Sequence, residues 1–285
     1  MHALPAPVGE RAARAALAAF HSPESIAAEL AEHGPEALWH IRVRHDHTGA
    51  LSSYRPGPQL DAAQRTAQFV IPGDACWPAA LDTLGTSTPL GLWVRGTGDL
   101  ATLSSRAITV TGNRYATSRG KQRAALMAGT LALAGHTVTA SLAHGIDAAA
   151  HSGAHLLSAP TLAVVPCGLD LCHPHDQRDL LRATAERGGA VVSVYRPGTT
   201  ASEVTLRTTA ALAAALSAAV VVVESIAHDP AMDSAAAARQ LGRPLFAIPP
   251  DNDLLDMYAT GTAQLLKSGD ARPVLTAEQA LAALA

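Results

Sequence analysis

Three turns in the chain carry residue types able to do chemistry. The first is Thr111-Gly112-Asn113-Arg114, followed by Ser118-Arg119-Gly120. A glycine after an apolar run, with backbone amides opening the next helix, suits a phosphate or another anion, and Arg114 adds a bidentate partner. No Gly-Lys-Ser/Thr follows and no Gly-x-Gly-x-x-Gly is present, so this is neither an NTPase loop nor a dinucleotide fingerprint. A tight turn bearing a surface arginine is the alternative. The second turn is His144-Gly145-Ile146-Asp147, with His151 four residues on. Gly145 permits close backbone approach, and Asp147 and His151 share one helix face. A structural cap with a nearby histidine and a functional pair are both consistent with that spacing, and neither makes a nucleophile–base system without a third member. The third is Cys167-Gly-Leu-Asp170-Leu-Cys172-His173-Pro-His175. Structural zinc draws on two separated ligand pairs, so a strand-end thiol with loop histidines is expected and no metal. Gly-x-Ser-x-Gly, His-Glu-x-x-His and the deaminase His-x-Glu…Pro-Cys-x-x-Cys are absent, which removes three large enzyme classes.

The elements that hold these turns must come from a chain of 285 residues that is 48% hydrophobic but only 16% charged. That is enough apolar material for a sizeable core and excludes wholesale disorder. The formal net charge is −3 and lysine occurs only at Lys121 and Lys267. Such a chain does not coat polyanions by bulk electrostatics, so nucleic-acid binding requires a local patch. Three cysteines suit a reducing compartment better than a disulfide framework. The N-terminus lacks a basic stretch followed by an apolar one, and the longest apolar run, 210–223, falls short of the roughly 18 residues of a membrane span. A soluble, cytoplasmic protein without membrane contact is expected.

Periodicity and breakers divide the chain in two. Arg11 to Phe20 is a run of helix formers; Ser22-Pro23-Glu24 starts a second helix that halts at Gly34-Pro35; a third begins near Glu36. The segment 46–58, with two prolines and two glycines, reads as a linker. Short apolar strands then alternate with helix-length segments: 69–71, 92–94, 107–111, 138–140, 161–165, 191–194, 220–223 and 245–248. Val- and Ile-rich strands that are apolar on both faces imply a mostly parallel sheet buried under helices. The expected fold is α/β, a doubly wound domain over residues 61–285 behind a small helical domain over 1–60. In such a sheet ligands bind outside the carboxyl ends of the strands, where all three turns lie.

Taken in order, these motifs resemble the DNA processing protein A (DprA, or Smf) family. Phe69-Val-Ile-Pro-Gly-Asp74…Trp77-Pro78 resembles its opening motif, and Gly112-Asn113-Arg114…Gly120 its Gly-Ser/Ala-Arg…Gly loop. Leu142-Ala-His-Gly145-Ile146-Asp147…His151 resembles its Leu-Ala-x-Gly-Ile-Asp…Ala-His signature, the most specific element. Val223-Glu224, Phe246-Ala-Ile-Pro249 and Gly261-Thr262…Gly269 keep the register, and the N-terminal helices are similar to the family's SAM-like domain. The resemblance implies an extended Rossmann-like, doubly wound and mostly parallel core that forms a homodimer, binds single-stranded DNA and presents it to the RecA recombinase in DNA uptake and recombination, with no catalysis, cofactor or metal. It assigns DNA or phosphate contacts to Gly112, Asn113, Arg114, Ser118, Gly120, His144, Gly145, Asp147, His151, Arg207, Gly261 and Lys267. The winged helix that some relatives carry is not expected here.

Several expected groups are replaced. The family's Arg-Asn-Arg falls on Thr209-Ala210-Ala211, with Arg207 the nearby basic residue, and its Ser-Gly-Ser/Ala loop falls on Asp229-Pro230-Ala231. Ala140-Ser141 stands for the usual Ser-Gly, and Val194 for an acid. Each loss removes a phosphate donor or cation, and Asp229 adds a repelling charge. Other functions are therefore weighed: a Rossmann-like nucleotide or small-anion sensor that has lost DNA binding, and a form acting only as a dimerisation partner. A phosphoribohydrolase is disfavoured because its Pro-Gly-Gly-x-Gly-Thr-x-x-Glu signature is missing.

Overall fold

Runs of valine, isoleucine and alanine that are apolar on both faces can be satisfied only between two helical layers, and six of the nine strands among the described residues are buried end to end. The computed structural model describes residues 8–251 and 257–284. The strands are β1 (Gln68–Val70), β2 (Leu92–Gly96), β3 (Ala107–Thr111), β4 (Thr137–Ala140), β5 (Thr161–Val164), β6 (Ala190–Ser193), β7 (Ala219–Val222), β8 (Leu245–Ala247) and β9 (Arg272–Pro273). They form a sheet of order β1-β2-β6-β5-β4-β3-β7-β8-β9. The β1–β2 and β2–β6 pairs are antiparallel and the others parallel, with Ile108 opposite Ala219 and Thr111 opposite Val222. Strand order reverses at β3, whose two neighbours are β4 and β7. The crevice outside their carboxyl ends is where doubly wound folds bind ligands.

Twelve helices accompany the sheet among the described residues: α1 (Glu10–Phe20), α2 (Pro23–Arg44), α3 (Ala50–Ser53), α4 (Pro56–Ala63), α5 (Leu100–Ser105), α6 (Ser118–Leu133), α7 (Ile146–His155), α8 (Arg178–Glu186), α9 (Glu203–Ala215), α10 (Ala231–Gln240), α11 (Thr260–Lys267) and α12 (Ala277–Ala282). One face packs Ile108, Val110, Val138, Val221 and Phe246 against α6, α7 and α12. The other packs Val220, Val222, Leu245 and Ala247 against α9, α10 and α11. The expected strands are all present, displaced by a residue or two at some ends. Gly34, at φ 73° and ψ 166°, breaks α2 where Gly34-Pro35 was expected to stop a helix.

The segment 46–58 differs from the linker expected of it. Asp46 accepts hydrogen bonds from the Thr48 and Leu51 amides at 2.9 and 2.7 Å and from the Thr48 hydroxyl. These bonds hold its carboxyl down at about 2 and order a turn that leads into α3 and α4. The expected boundary near residue 60 is also bridged by packing. Leu60 of α4 and Ala12 and Ala15 of α1 share one apolar cluster with Phe69, Trp93 and Leu142 of the sheet layer. Arg11 adds a fork to Asp74 at 2.7 and 2.8 Å and a bond to the Phe69 carbonyl at 2.6 Å. The helices also keep a cluster of their own around Leu17, Ile26, Leu38 and Trp39. Proline and glycine content signalled a break in periodicity, and the packing across it was invisible in composition.

Helices α6 and α7, which carry two of the chemistry-bearing turns, pack closely at Gly153. A Cβ there would lie 2.2 Å from the Ala125 carbonyl oxygen. Alanine for glycine inside a helix normally stabilises by about 1 kcal/mol, but forced overpacking costs roughly 1–3 kcal/mol. Gly153→Ala is therefore expected to lower stability by about 1–2 kcal/mol in urea unfolding, opposite in sign to the propensity effect.

Candidate nucleic-acid interface at the strand switch point

β3 ends at Thr111 and β7 at Val222, side by side, and the chain beyond each is tied to the other by buried polar groups. The Asn113 amide donates to the Glu224 carbonyl at 2.6 Å. Its side-chain nitrogen donates to the Tyr258 carbonyl at 2.6 Å and to Glu224 Oε1 at 3.2 Å, while its Oδ1 accepts from the Ile226 amide at 2.8 Å. Glu224 in turn accepts from the Thr117 amide at 2.9 Å and the Thr117 hydroxyl at 2.6 Å. Thr117 caps α6, taking the Gly120 amide at 2.9 Å. The Glu224 carboxylate thus occupies the N-terminus of α6, the place expected for a bound phosphate. Gly120 is glycine because a Cβ there would stand 2.5 Å from Glu224 Oε2. Where the sequence led to an external anion, the structure places the protein's own carboxylate side chain.

The neighbouring turn crosses beneath it. Gly145 sits at φ 78°, and a Cβ there would lie 2.1 Å from the Asn113 carbonyl oxygen, so position 145 can carry no side chain. Asp147 does not cap α7. Its carboxyl turns back to the strand ends, accepting from the Thr111 hydroxyl at 2.9 Å and the Ser141 amide at 3.0 Å, with the Ser141 hydroxyl as a third donor. Burial pushes this carboxyl up to about 6 against the pull of those donors, and Asp229 adds to the rise. His151 bonds Thr161 Oγ1 at 2.9 Å and the Ser141 carbonyl at 3.1 Å. Burial lowers it to about 3, so it is a neutral core histidine. Asp147 and His151 meet through Ser141 and form no orienting pair.

Side chains that do face the opening are few. Arg114 lines both a cleft of about 720 Å³ and a smaller cavity of about 90 Å³. The cleft is lined by Tyr115, Thr117, Lys121, His144, Gly145, Ser152, Gln177 and Tyr258. Tyr115 is 82% exposed. His144 bonds Gln177 at 2.7 Å and lies 3.2 Å from Asp176. The cavity is lined by Thr111, Asp147, His173, Thr209, Asp229 and Ser234 over walls that include Leu206, Ala210 and Ala213. His173 is pushed down by burial and by the charge of Arg114, and burial raises Asp229.

Of the twelve residues singled out in the sequence, Gly112, Asn113, Arg114, Gly120, His144, Gly145 and Asp147 converge here. Gly261 joins through its amide, which donates to the Ser225 carbonyl at 2.6 Å. Ser118 is exposed on the first turn of α6. His151 lies behind the site. Arg207 projects from α9 and pairs with Glu203 at 2.7 Å, and Lys267 ends α11; neither lines cleft or cavity. Arg119 and Arg123 both close on Asp251 at 2.8 Å. Tyr115, Lys121 and the clasping role of Glu224 escaped the sequence analysis; an acid ending an apolar strand and an aromatic beside a turn arginine were the available signals. The thiols of the third turn are structural: burial pushes Cys167 up to about 11, and Cys172 donates to the Pro174 carbonyl at 3.2 Å.

The titrations have opposite signs. Asp147 is raised, so its contribution to stability is complete below its ordinary value of 3.8 and is lost as pH rises through about 6. His151 is lowered, so its contribution is complete above 6.5 and is lost as pH falls towards 3. Asp147→Asn removes the first component alone. Its stability relative to the parent is expected to rise by roughly 1–3 kcal/mol between pH 4 and pH 7 in urea unfolding; a constant difference would contradict a raised Asp147.

Comparison with known proteins agrees with this architecture. A family model described as DNA recombination-mediator protein A matches residues 68–285. A DprA-family protein of Mycobacterium tuberculosis is 33% identical over 235 residues, covering 78% of this chain and 60% of its own length. Protein Smf of Synechocystis is 30% identical over 223 residues, covering 78% of this chain and 55% of its own length. The chain thus spans somewhat over half the length of these two relatives. The X-ray structure of DNA processing protein A from Streptococcus pneumoniae superimposes with a TM-score of 0.79 at 22% identity, covering 96% of this chain and 98% of the other. A Helicobacter pylori counterpart gives 0.66 at 24%, covering 76% and 95%. By the family match over residues 68–285 and the identity to its relatives, the chain belongs to the DNA recombination-mediator protein A family, the DprA/Smf proteins.

Proposed function

We propose that the protein binds single-stranded DNA along the cleft at the switch point, as a non-catalytic, cytoplasmic member of its family. The observation that carries this is the trio Arg114, Tyr115 and Lys121 on one open cleft. It combines two cations with an exposed aromatic, the combination that binds single strands through backbone charge and base stacking. The relative from Helicobacter pylori is described by its single-stranded DNA binding mode, which supports the same ligand here. The phosphates lie on Arg114 and Lys121 rather than on the α6 N-terminus, which Glu224 fills. Action in DNA uptake and recombination, hand-over to the RecA recombinase and assembly as a homodimer complete the proposal by family likeness.

The cleft offers few cations. Each phosphate contact contributes roughly 0.7 to the slope of log K against log salt for a single strand, so a slope near −1 to −2 is expected. In fluorescence anisotropy with a mixed-sequence 15-mer at two salt concentrations, Arg114→Ala should weaken binding about tenfold and flatten that slope by about 0.7. Tyr115→Ala should weaken binding about 5- to 100-fold and leave the slope unchanged, because stacking releases no counterions. Absence of binding to any oligonucleotide at low salt refutes the proposal. A nucleotide or small-anion sensor is the second reading, favoured by the small cavity beside Arg114.

A further inference from the structure

Helix α6 carries a second pair of cations that the cleft does not use. Arg119 and Arg123 are four residues apart and share one helix face, and both close on a single carboxylate. Arg119 Nη1 lies 2.8 Å from Asp251 Oδ2, and Arg123 Nη2 donates to Oδ1 at 2.8 Å. Asp251 belongs to the segment after β8. The hydrogen bond from Arg123, followed by the charges of both arginines, holds its carboxyl below the ordinary range. Two guanidiniums against one carboxylate still leave a net positive charge.

Asp251 differs from Glu224 in what holds it. Glu224 is buried and takes the amide and hydroxyl of Thr117. Among the described residues, Asp251 is held by the two arginines alone. The Arg119 side chain is 64% exposed and that of Asp251 35%. Exposed ion pairs contribute little and are screened by salt, so another anion can take the place of this carboxylate. A guanidinium receives a phosphate through the same forked donors that it offers a carboxylate.

The pair is placed to meet a strand that leaves the cleft. Thr117 and Lys121 line the cleft. Arg119 lies between them in sequence, about 200° round the helix from each, on the opposite flank of the first turn. A helix is about 10–12 Å across with its side chains, a width that a few nucleotides span. We propose that Arg119 and Arg123 form a second phosphate-binding step for single-stranded DNA, across α6 from the cleft, and that Asp251 occupies it until the strand displaces it. The proposal rests on the single-stranded DNA reading of the cleft. It makes Asp251 an internal competitor that lowers the affinity of the resting protein.

The test is a mutant cycle on the full chain, read by fluorescence anisotropy with labelled dT20 at two salt concentrations. It compares the parent, Asp251→Asn, Arg119→Ala with Arg123→Ala, and all three changes together, each first shown to be folded by circular dichroism. Asp251→Asn should tighten binding about three- to tenfold. Adding the two alanines to Asp251→Asn should remove that gain and flatten the slope of log K against log salt by about 1.4, two contacts at roughly 0.7 each. If Asp251→Asn binds as the parent does, the proposal is overturned and the cleft reading stands. A gain of equal size in the background lacking both arginines also overturns it, because Asp251 would then act only as a general repelling charge. Binding by Asp251→Asn where the parent shows none supports the proposal as full occlusion. If neither binds at low salt, the cleft reading and this proposal fall together.

Discussion

The buried clasp between Asn113 and Glu224 is the contact from which the rest of the site follows. Two parallel strands end side by side at the switch point, and their next residues need backbone partners away from water. Asn113 meets three backbone groups, the Glu224 carbonyl through its own amide and the Tyr258 carbonyl and Ile226 amide through its side chain, and it also reaches the Glu224 carboxylate. Glu224 completes the arrangement by capping α6 through Thr117. One pair of side chains thereby sets the direction of α6, the path after β7 and the approach to α11. A buried carboxylate without a counter-cation is costly in general. Here amide and hydroxyl donors, together with the positive end of the α6 dipole, hold it.

This clasp changes where an external anion can bind. A strand–glycine–helix turn ordinarily offers its amides to phosphate. With that position filled by Glu224, the proposed phosphate contacts fall to the side chains of Arg114 and Lys121, and in that proposal stacking on Tyr115 carries a larger share of the binding. The low charge of the chain fits such a division. Affinity that depends little on cations depends little on salt, and discrimination then comes from contacts to bases. The partition of the crevice into an open basic cleft and a carboxylate-lined cavity, joined at Arg114, has the same origin.

Much of the architecture was legible in the sequence because it rests on periodicity. Strands such as Ala107–Thr111, and the breaks at Gly34 and Gly145, follow from apolar runs and from residues with special backbone freedom. Convergence of Gly112–Arg114 with Gly145–Asp147 follows from parallel strands ending at one edge. What residue type could not show was which partner each side chain finds. Arg207 is satisfied by Glu203 on its own helix, His151 is a core residue tied to Thr161, and Gly120 is small to make room for Glu224. The 46–58 segment looked like a linker because its breakers are local, while the contacts of Leu60 with α1 and the sheet layer are long-range.

The central claim is spatial: nucleic acid lies on the cleft at Arg114, and the basic residues of α9 and α11 take no part. Amide chemical-shift mapping of the isotope-labelled protein with a short mixed-sequence single strand tests this most directly. The account predicts perturbations concentrated at Arg114–Lys121 and His144–Asp147, with Arg207 and Lys267 silent. Shifts clustered on Arg207, on Lys267 or on the N-terminal helices, with Arg114 unaffected, would contradict it.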